Sequence, residues 1–541
     1  MKTAREVSAD KLRGGFYSPD SLVKVCFDRV ATLVKRSGPL RMLEPSAGDG
    51  AFIRGLRGHQ LANRVKWTTA VEIVKSEAAA CAATLSSADL GGEVINDSVL
   101  AWALNNQDLY DIAVGNPPFV RFQFVDERER LLTDALGAKV NAEFRGVSNL
   151  WLPVLISALG SLRPGGAFAF IVPAESFTGI SGHEVRQWLL ERVHQLHVDL
   201  FLPGSFPHVL QEVVVLSGRM VGKGARPTRD MHFREHSGHS QRQWTHSAIG
   251  SFRTWTRFLL SPDQVGHLEE ATDLSSVALL GTIARFEVAT VTGANGFFCV
   301  DDETVERYQL GPWARPLLAR TRHAQGLAYT EEDHKQVLSD GLSGNLLDFS
   351  VSKPDPMAFK DPRAYLKHGE SLALPTRYKC RIRTPWWRVP VVAPGQMMMA
   401  KRSHLFPRVI VNEAMVTTTD TIYRGRLLPK ATMSPHDFTA AFHNSLTLLT
   451  AEIEGRSFGG GVLELVPSEI SRLSIPLPKT AGDWFERLDR TCRSVDEDEA
   501  DGLVDMTDAL IAKKAAGLTK AMLDNLRGAR QTLAGLRFAR N

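Results

Sequence analysis

Asn116-Pro117-Pro118-Phe119 is the tetrapeptide of this 541-residue chain whose groups could do specific chemistry together. It follows Asp111-Ile112-Ala113-Val114-Gly115, an apolar run that reads as a buried strand. A double proline ends a strand rigidly and removes two N–H donors. What remains is acceptors, the Asn116 side-chain oxygen and the Pro117 carbonyl, with the flat ring of Phe119 beside them. A planar substrate with an exocyclic NH2 suits that set: two N–H donors meet two oxygens, and the ring stacks on Phe119. The lone pair of such an amine is delocalised into its ring. Two acceptors pulling on its hydrogens localise it, so that it can attack a methyl group on a sulfonium in line, with no protein nucleophile. The plainer alternative is a Pro-Pro turn with a core phenylalanine.

A second candidate lies upstream. Leu43-Glu44-Pro45-Ser46-Ala47-Gly48-Asp49-Gly50 follows the first expected strand and opens the first helix. In an open parallel sheet, ligands bind beyond the carboxyl ends of the strands, and glycines there let the backbone approach them. Glu72, 22 positions after Gly50, ends the next strand, where an acidic residue accepts from ribose hydroxyls. Asp97 follows the third strand and could receive an adenine amino group. The segment is Ala-Gly-Asp-Gly-Ala-Phe, so the G-x-G-x-x-G nicotinamide fingerprint is not met. By itself the loop reads equally well as a turn, and Glu72 as a solvated strand end.

The elements that must position these residues alternate. Strands are expected at 41–44, 67–73, 93–95, 111–115 and 167–172, with a last core strand at 213–216. Helices are expected at 51–57, 75–83 and 150–162. Alternation of this kind implies a parallel sheet wrapped by helices, an α/β fold of Rossmann type. Residues 120–148 read as a long charged loop beside the tetrapeptide. Residues 222–250, polar and rich in Arg and His, read as a linker, and 251–541 as a second domain of mixed α+β structure with a helical tail.

The resemblance these motifs carry is to the amino-group DNA methyltransferases, specifically the adenine-N6 type of restriction-modification systems. It covers the first 220 or so residues in order. Gly15-Phe16-Tyr17-Ser18-Pro19 resembles the family's N-terminal cofactor segment, and 43–50 its methionine-binding loop. Asn116 to Phe119 resembles the catalytic N-P-P-Y/F, with Phe in place of the commoner Tyr. Asn149-Leu150 with Leu162-Arg163-Pro164-Gly165-Gly166 resembles the helix and turn that follow. Phe206-Pro207, ahead of Val213, resembles the segment whose Phe packs on the flipped base. The resemblance implies S-adenosylmethionine as cofactor. It implies cofactor contacts from Tyr17, Ser18, Pro19, Glu44, Pro45, Ala47, Gly48, Gly50, Glu72 and Asp97, and catalysis by Asn116, Pro117, Pro118 and Phe119. Phe119 and Phe206 would stack on the target base. On this division residues 1–221 form the catalytic domain.

Duplex bases are out of reach of such a site, so the target must be flipped out, and the second domain is expected to recognise DNA. Net charge is only +4, with 64 Lys+Arg against 60 Asp+Glu, so any DNA-binding field must be local. Between Glu370 and Glu413 there is no carboxylate, while Arg377, Lys379, Arg381, Arg383, Arg388, Lys401, Arg402 and Arg408 interleave with Tyr378, Trp386 and Trp387. Phosphate neutralisation gives salt-dependent affinity, and Arg or Lys can read guanine edges. A solvated basic face is the simpler alternative. Residues 292–298, and 458–462 through 475–478, more loosely resemble pieces of specificity domains, and 496–501 read as a solvated acidic surface.

Several classes are set aside. No apolar run approaches the ~18 residues of a membrane span, and the N-terminus lacks a secretory signal's apolar stretch. The five cysteines form no C-x-x-C pair, and His232, His236, His239 and His246 lack ligand spacing, so a cytoplasmic protein without a metal is expected. Cytosine-C5 methylation needs a Cys nucleophile, usually after Pro, and no Pro-Cys pair occurs. Cytosine-N4 methylation remains open, although Ser commonly replaces Asn there. A protein glutamine-N5 methyltransferase would share Asn-Pro-Pro but not need the C-terminal ~300 residues or the basic stretch. A modification subunit of a multi-subunit complex would carry a long helical region before the cofactor loop, where ~40 residues stand here. An inactive DNA-binding module is opposed by the intact tetrapeptide. No fused nuclease is recognisable, so any partner restriction endonuclease is expected as a separate chain, and a monomer could suffice on double-stranded DNA.

Overall fold

The computed structural model describes residues 18–144, 149–173, 183–201, 213–237, 240–249, 254–458, 460–478, 480, 483–494 and 501–538. Two units are resolved, Met1–Pro262 and Asp263–Ala539.

The first unit is built on one sheet. In chain order its elements are α1 (Asp20–Leu33), β1 (Leu40–Glu44), α2 (Ala51–Arg57), β2 (Val65–Val71), α3 (Lys75–Ser87), β3 (Gly92–Ile95), α4 (Val99–Ala103), β4 (Tyr110–Gly115), α5 (Glu127–Val140), α6 (Trp151–Gly160), β5 (Leu162–Pro173), α7 (His183–Arg192), β6 (Val193–Phe201), β7 (Val213–Met220), β8 (Asp230–Ser237) and β9 (Ser240–Ser247). The strand order is β3-β2-β1-β4-β5-β7-β6-β8-β9. β1 to β5 pair in parallel, and β7 enters antiparallel between β5 and β6. This is the α/β sheet of Rossmann type that the alternating strands and helices predict, with β8 and β9 continuing it at one edge.

Burial explains the central strands. All six residues of β4 are buried, because strands β1 and β5 flank it and layers cover both faces. One core packs α1 against β1, β4 and β5 through Leu22, Phe27, Met42, Ile112 and Ala169. Asp111 is buried among them and tied down: it accepts from the Arg41 backbone N–H at 2.9 Å, Arg163 at 3.0 Å and Arg36 at 3.2 Å. Three strands thus converge on one carboxylate that cannot be left unpaired.

Two expectations are corrected here. The supposed linker, 222–250, contains β8 and β9, which extend the sheet through Leu196↔Met231 and Phe233↔Trp244. Only alternate residues of β8, Met231 and Phe233, are fully buried, so a strand with one polar face carried too few apolar residues to stand out. The unit boundary accordingly falls at Pro262 rather than near Gly222. The supposed loop, 120–148, contains the 14-residue helix α5. Asp126 caps it by accepting from the Glu129 N–H at 2.8 Å, and Asn141 ends it with φ 52°. Its buried stripe is Glu129, Thr133, Leu136 and Gly137, helical in spacing but hardly apolar, which hid the period.

The second unit mixes small sheets with helices. Its largest sheet has five strands, in the order Ala284–Glu287, Ile422–Leu427, Met397–Ala400, Val409–Asn412 and Ala328–Tyr329. Its helical end, Asp501–Lys514 and Lys520–Phe538, matches the expected tail. Of the acidic cluster 496–501, only Asp501 is among the described residues, and it pairs with Arg530. Among the described residues no helix is long and apolar enough to cross a membrane.

Candidate active site

Strand order reverses between β1 and β4: the chain winds outward from β1 through β2 to β3, then returns to β4 on the other side. A crevice opens at the carboxyl ends of strands at such a switch point. The loop after β1 carries Glu44 to Gly50, and the loop after β4 carries Asn116 to Phe119. The two loops are in contact. The Ser46 hydroxyl donates to the Asn116 carbonyl at 3.1 Å. A Cβ on Gly115 would stand 3.2 Å from Pro45 Cδ, so the last residue of β4 has to be small for the loops to meet. Ser46 was not foreseen as a site residue; its place inside the glycine loop was the available signal.

Asn116 is held from a third direction. Its Nδ2 donates to Ser18 Oγ at 3.1 Å. Ser18 precedes Pro19, the residue that caps α1. The amide nitrogen is the end that faces Ser18, a hydroxyl able to accept as well as donate, and the amide oxygen is the other end. Pro117 is buried, and Phe119 is half-buried, packed against the sheet core. The family's aromatic position therefore does structural work on part of its ring. Tyr17 and Phe206 lie outside the described residues.

The glycine loop is preset. Gly48 has φ +53° and Gly50 φ +89°, conformations that favour glycine. The Gly48 N–H donates to Glu72 Oε2 at 2.9 Å, and the Val74 N–H donates to Oε1 at 2.8 Å. Each Glu72 oxygen keeps a second lone pair for a hydroxyl donor. Asp97 accepts from Ser98 N–H at 2.7 Å and from Arg128 of α5 at 3.1 Å, both on Oδ1, which leaves Oδ2 for an adenine amine. Arg128 was hidden in the segment read as a loop.

Two features suit S-adenosylmethionine. A Cβ built on Gly48 would meet nothing within 4 Å, so a ligand can lie against bare backbone there. Glu44 is buried beside Asp49 and Glu72, and its Oε2 has no hydrogen-bond partner among the described residues. Burial, and then the Asp49 charge, push this carboxyl well above the usual range. A ligand that brings an ammonium and a sulfonium relieves that cost.

The basic stretch of the second unit does not act as one patch. Trp386 is 8% exposed and sits in a core with Phe297, Phe298 and Tyr365, so it is not available to stack on a base. Trp387 packs against the same core. Arg383 donates at 2.6 Å to the carbonyls of both Val291 and Thr292. Arg408 donates to the carbonyls of Thr321, Ala324 and Gln325. Arg402 bonds Glu464 at 2.6 Å, and Lys401 lies 3.7 Å from the same carboxylate. Arg377, Lys379, Arg381 and Arg388 remain exposed with no ion pair among the described residues. Lys379 lies over the exposed Tyr378 ring, 5.5 Å from its centroid.

Residues 59–203 match the family described as Eco57I restriction-modification methylase, and residues 253–512 match the type II methyltransferase M.Eco57I C-terminal domain. Type II methyltransferase M.XamI of Xanthomonas campestris pv. amaranthicola is 22% identical over 489 residues, covering 86% of this chain and 85% of its own. Type II methyltransferase M.HincII of Haemophilus influenzae is 23% identical over 211 residues, 39% of this chain and 38% of its own. The type IIL restriction-modification enzyme MmeI, solved in complex with DNA, aligns over 95% of this chain and 72% of its own at 12% identity, with a TM-score of 0.49.

Proposed function

We propose, from the two Eco57I-type matches over residues 59–203 and 253–512, that the chain methylates adenine N6 in duplex DNA at a specific site. The cofactor, S-adenosylmethionine, supplies an electrophilic methyl group on sulfur. The observation that carries the adenine reading is Asn116 at the end of β4, with its amide nitrogen bonded to Ser18. That bond presents the amide oxygen, with the Pro117 carbonyl, to the two hydrogens of an exocyclic amine. Two acceptors there hold the amine while its lone pair forms the new N–C bond and the S–C bond breaks. The displaced N6 proton leaves to solvent. Phe119 supplies a ring face for the base, which must leave the duplex to arrive there.

Glu72 and Asp97 hold the ribose and adenine of the cofactor, Gly48 and Gly50 let its methionine end lie against the backbone, and Ser18, Pro19, Glu44, Pro45 and Ala47 complete the contact. Arg377, Lys379, Arg381 and Arg388 engage phosphates in the second unit.

The test is to incubate the enzyme with methyl-labelled cofactor and mixed-sequence DNA, then digest to nucleosides. Label in N6-methyladenosine is expected. Label in no nucleoside, or only in a methylated cytosine, overturns the reading.

A further inference from the structure

The second unit contains a cleft of about 880 Å3 to which the basic stretch and the 292–298 segment each bring only part of the lining. It is lined by Asn295, Arg320, Arg322, Lys401, Arg402 and Asp420, among other residues. Four of these six are cations, and they come from two separate stretches of chain. Lys401 and Arg402 are held by Glu464. Arg320 and Arg322 are exposed and carry no ion pair among the described residues. They precede His323, whose pKa is lowered by its burial and then by the charges of Arg322 and Arg320.

Asp420 decides what the cleft suits. A pocket for phosphate excludes carboxylates, because like charges repel. Here a carboxylate stands among four cations and is oriented. Asn295 Nδ2 donates to Asp420 Oδ1 at 3.4 Å, and the Thr292 hydroxyl donates to the Asn295 oxygen in turn. A set combining arginine forks with a fixed carboxylate matches base edges: Arg meets guanine O6 and N7, and a carboxylate accepts from an exocyclic base amine.

The exposed cations adjoin this cleft. A Cβ on Gly293, two residues before Asn295, would stand 2.6 Å from Lys379 Cβ, so the short helix Tyr378–Arg381 lies against the segment that leads into the cleft. Rim cations that position the backbone beside a mixed-charge interior that reads bases is the division of labour expected of a sequence-specific surface.

We propose that this cleft is where the enzyme reads its target sequence, with Arg320 and Arg322 on guanine edges and Asp420, oriented by Asn295, on the amine of a cytosine or adenine. This rests on the DNA-methylation reading above and adds specificity-determining residues to it. The experiment is single-molecule sequencing of DNA methylated by the full-length enzyme and by Arg320→Lys, Arg322→Lys and Asp420→Asn. Each change keeps size or charge but removes the fork or the second acceptor oxygen. Each cleft variant should relax the methylated site at one base pair, with discrimination there falling roughly ten- to hundred-fold. Lys379→Ala should instead weaken binding to all sequences alike, with the site unchanged and the salt slope reduced by about one. If the wild type methylates a defined site and all three cleft variants keep it with undiminished preference, the cleft is not the reader and this proposal fails alone. A uniform loss of affinity in the three variants, with the site intact, overturns it equally by assigning the cleft to phosphates. A wild type that methylates no DNA overturns the parent reading instead.

Discussion

The glycine loop with its facing tetrapeptide and the basic stretch of the second unit were both visible as local runs of sequence, yet they fold into opposite situations. In the first unit, topology gathers the run. β1 and β4 are neighbours in the sheet, so the two loops that leave them must meet, and Ser46, Gly115 and Asn116 do. In the second unit, folding disperses the run. Of eight cations between Ser371 and Asn412, two hold backbone carbonyls and two share Glu464. Residues at strand ends inherit a position from the sheet. Residues in a charged run inherit only a charge, and their partners come from elsewhere in the chain.

That contrast can be broken most sharply at Asn116. Asn116→Ala should lower methyl transfer by roughly 100-fold or more, by the scale set by removing one preorganised hydrogen-bonding group. Cofactor binding, followed by calorimetry, should persist. Loss of cofactor affinity instead would mean that the tetrapeptide and the glycine loop do not have separate duties.

Within the basic stretch, Arg408→Ala and Arg381→Ala should part company. Arg408 satisfies three carbonyls, and its removal should cost about 2–3 kcal/mol of stability, read from urea unfolding. Arg381 is exposed, and its removal should change stability by less than about 0.5 kcal/mol while lowering the salt slope of DNA binding by about one. Equal stability losses would restore the picture of a uniform patch.

A smaller effect is expected at Glu464. Glu464→Gln removes the carboxylate that holds Lys401 and Arg402. DNA binding at low salt should tighten by about two- to five-fold, with the gain vanishing as salt screens the freed charges. Unchanged binding at low salt would show that these two cations never face DNA.

A further test concerns pH. His443 is fully buried; its Nε2 accepts from the Val409 N–H at 3.2 Å and its Nδ1 lies 3.1 Å from the Thr439 carbonyl, the pattern of a neutral ring. Burial, and then the Arg408 charge, lower its pKa to about 3. The unfolded chain takes up the proton near pH 6.5 while the folded ring refuses it, so stability present at neutral pH is lost as pH falls from about 6.5 toward 3. The urea midpoint of the second unit should drop between pH 7 and pH 5, and His443→Gln should flatten that slope.

The first unit was more legible because its strands are buried on both faces. Residues 112–115 and 167–172 are continuous runs without a polar side chain, and the helix 51–57 falls where the sequence placed it. β8 and α5 were less legible because each buries a single narrow face: in β8 only Met231 and Phe233 are fully buried, and in α5 the buried stripe is largely polar or small. Trp386 was misjudged because composition reports an aromatic among arginines but not the core of Phe297 and Tyr365 that encloses it. Arg320 and Arg322 were overlooked because two arginines beside a histidine are unremarkable until Asn295 and Asp420, brought from both directions along the chain, complete the cleft.

The bond from Asn116 to Ser18 joins residues 98 positions apart. It closes only once the chain has passed through four strands and returned, which makes it a contact of high sequence separation and late formation. The Asn116 amide is therefore placed by the finished sheet and by the segment ahead of it together, so a change at Ser18 can misplace a group that stands far along the chain from it.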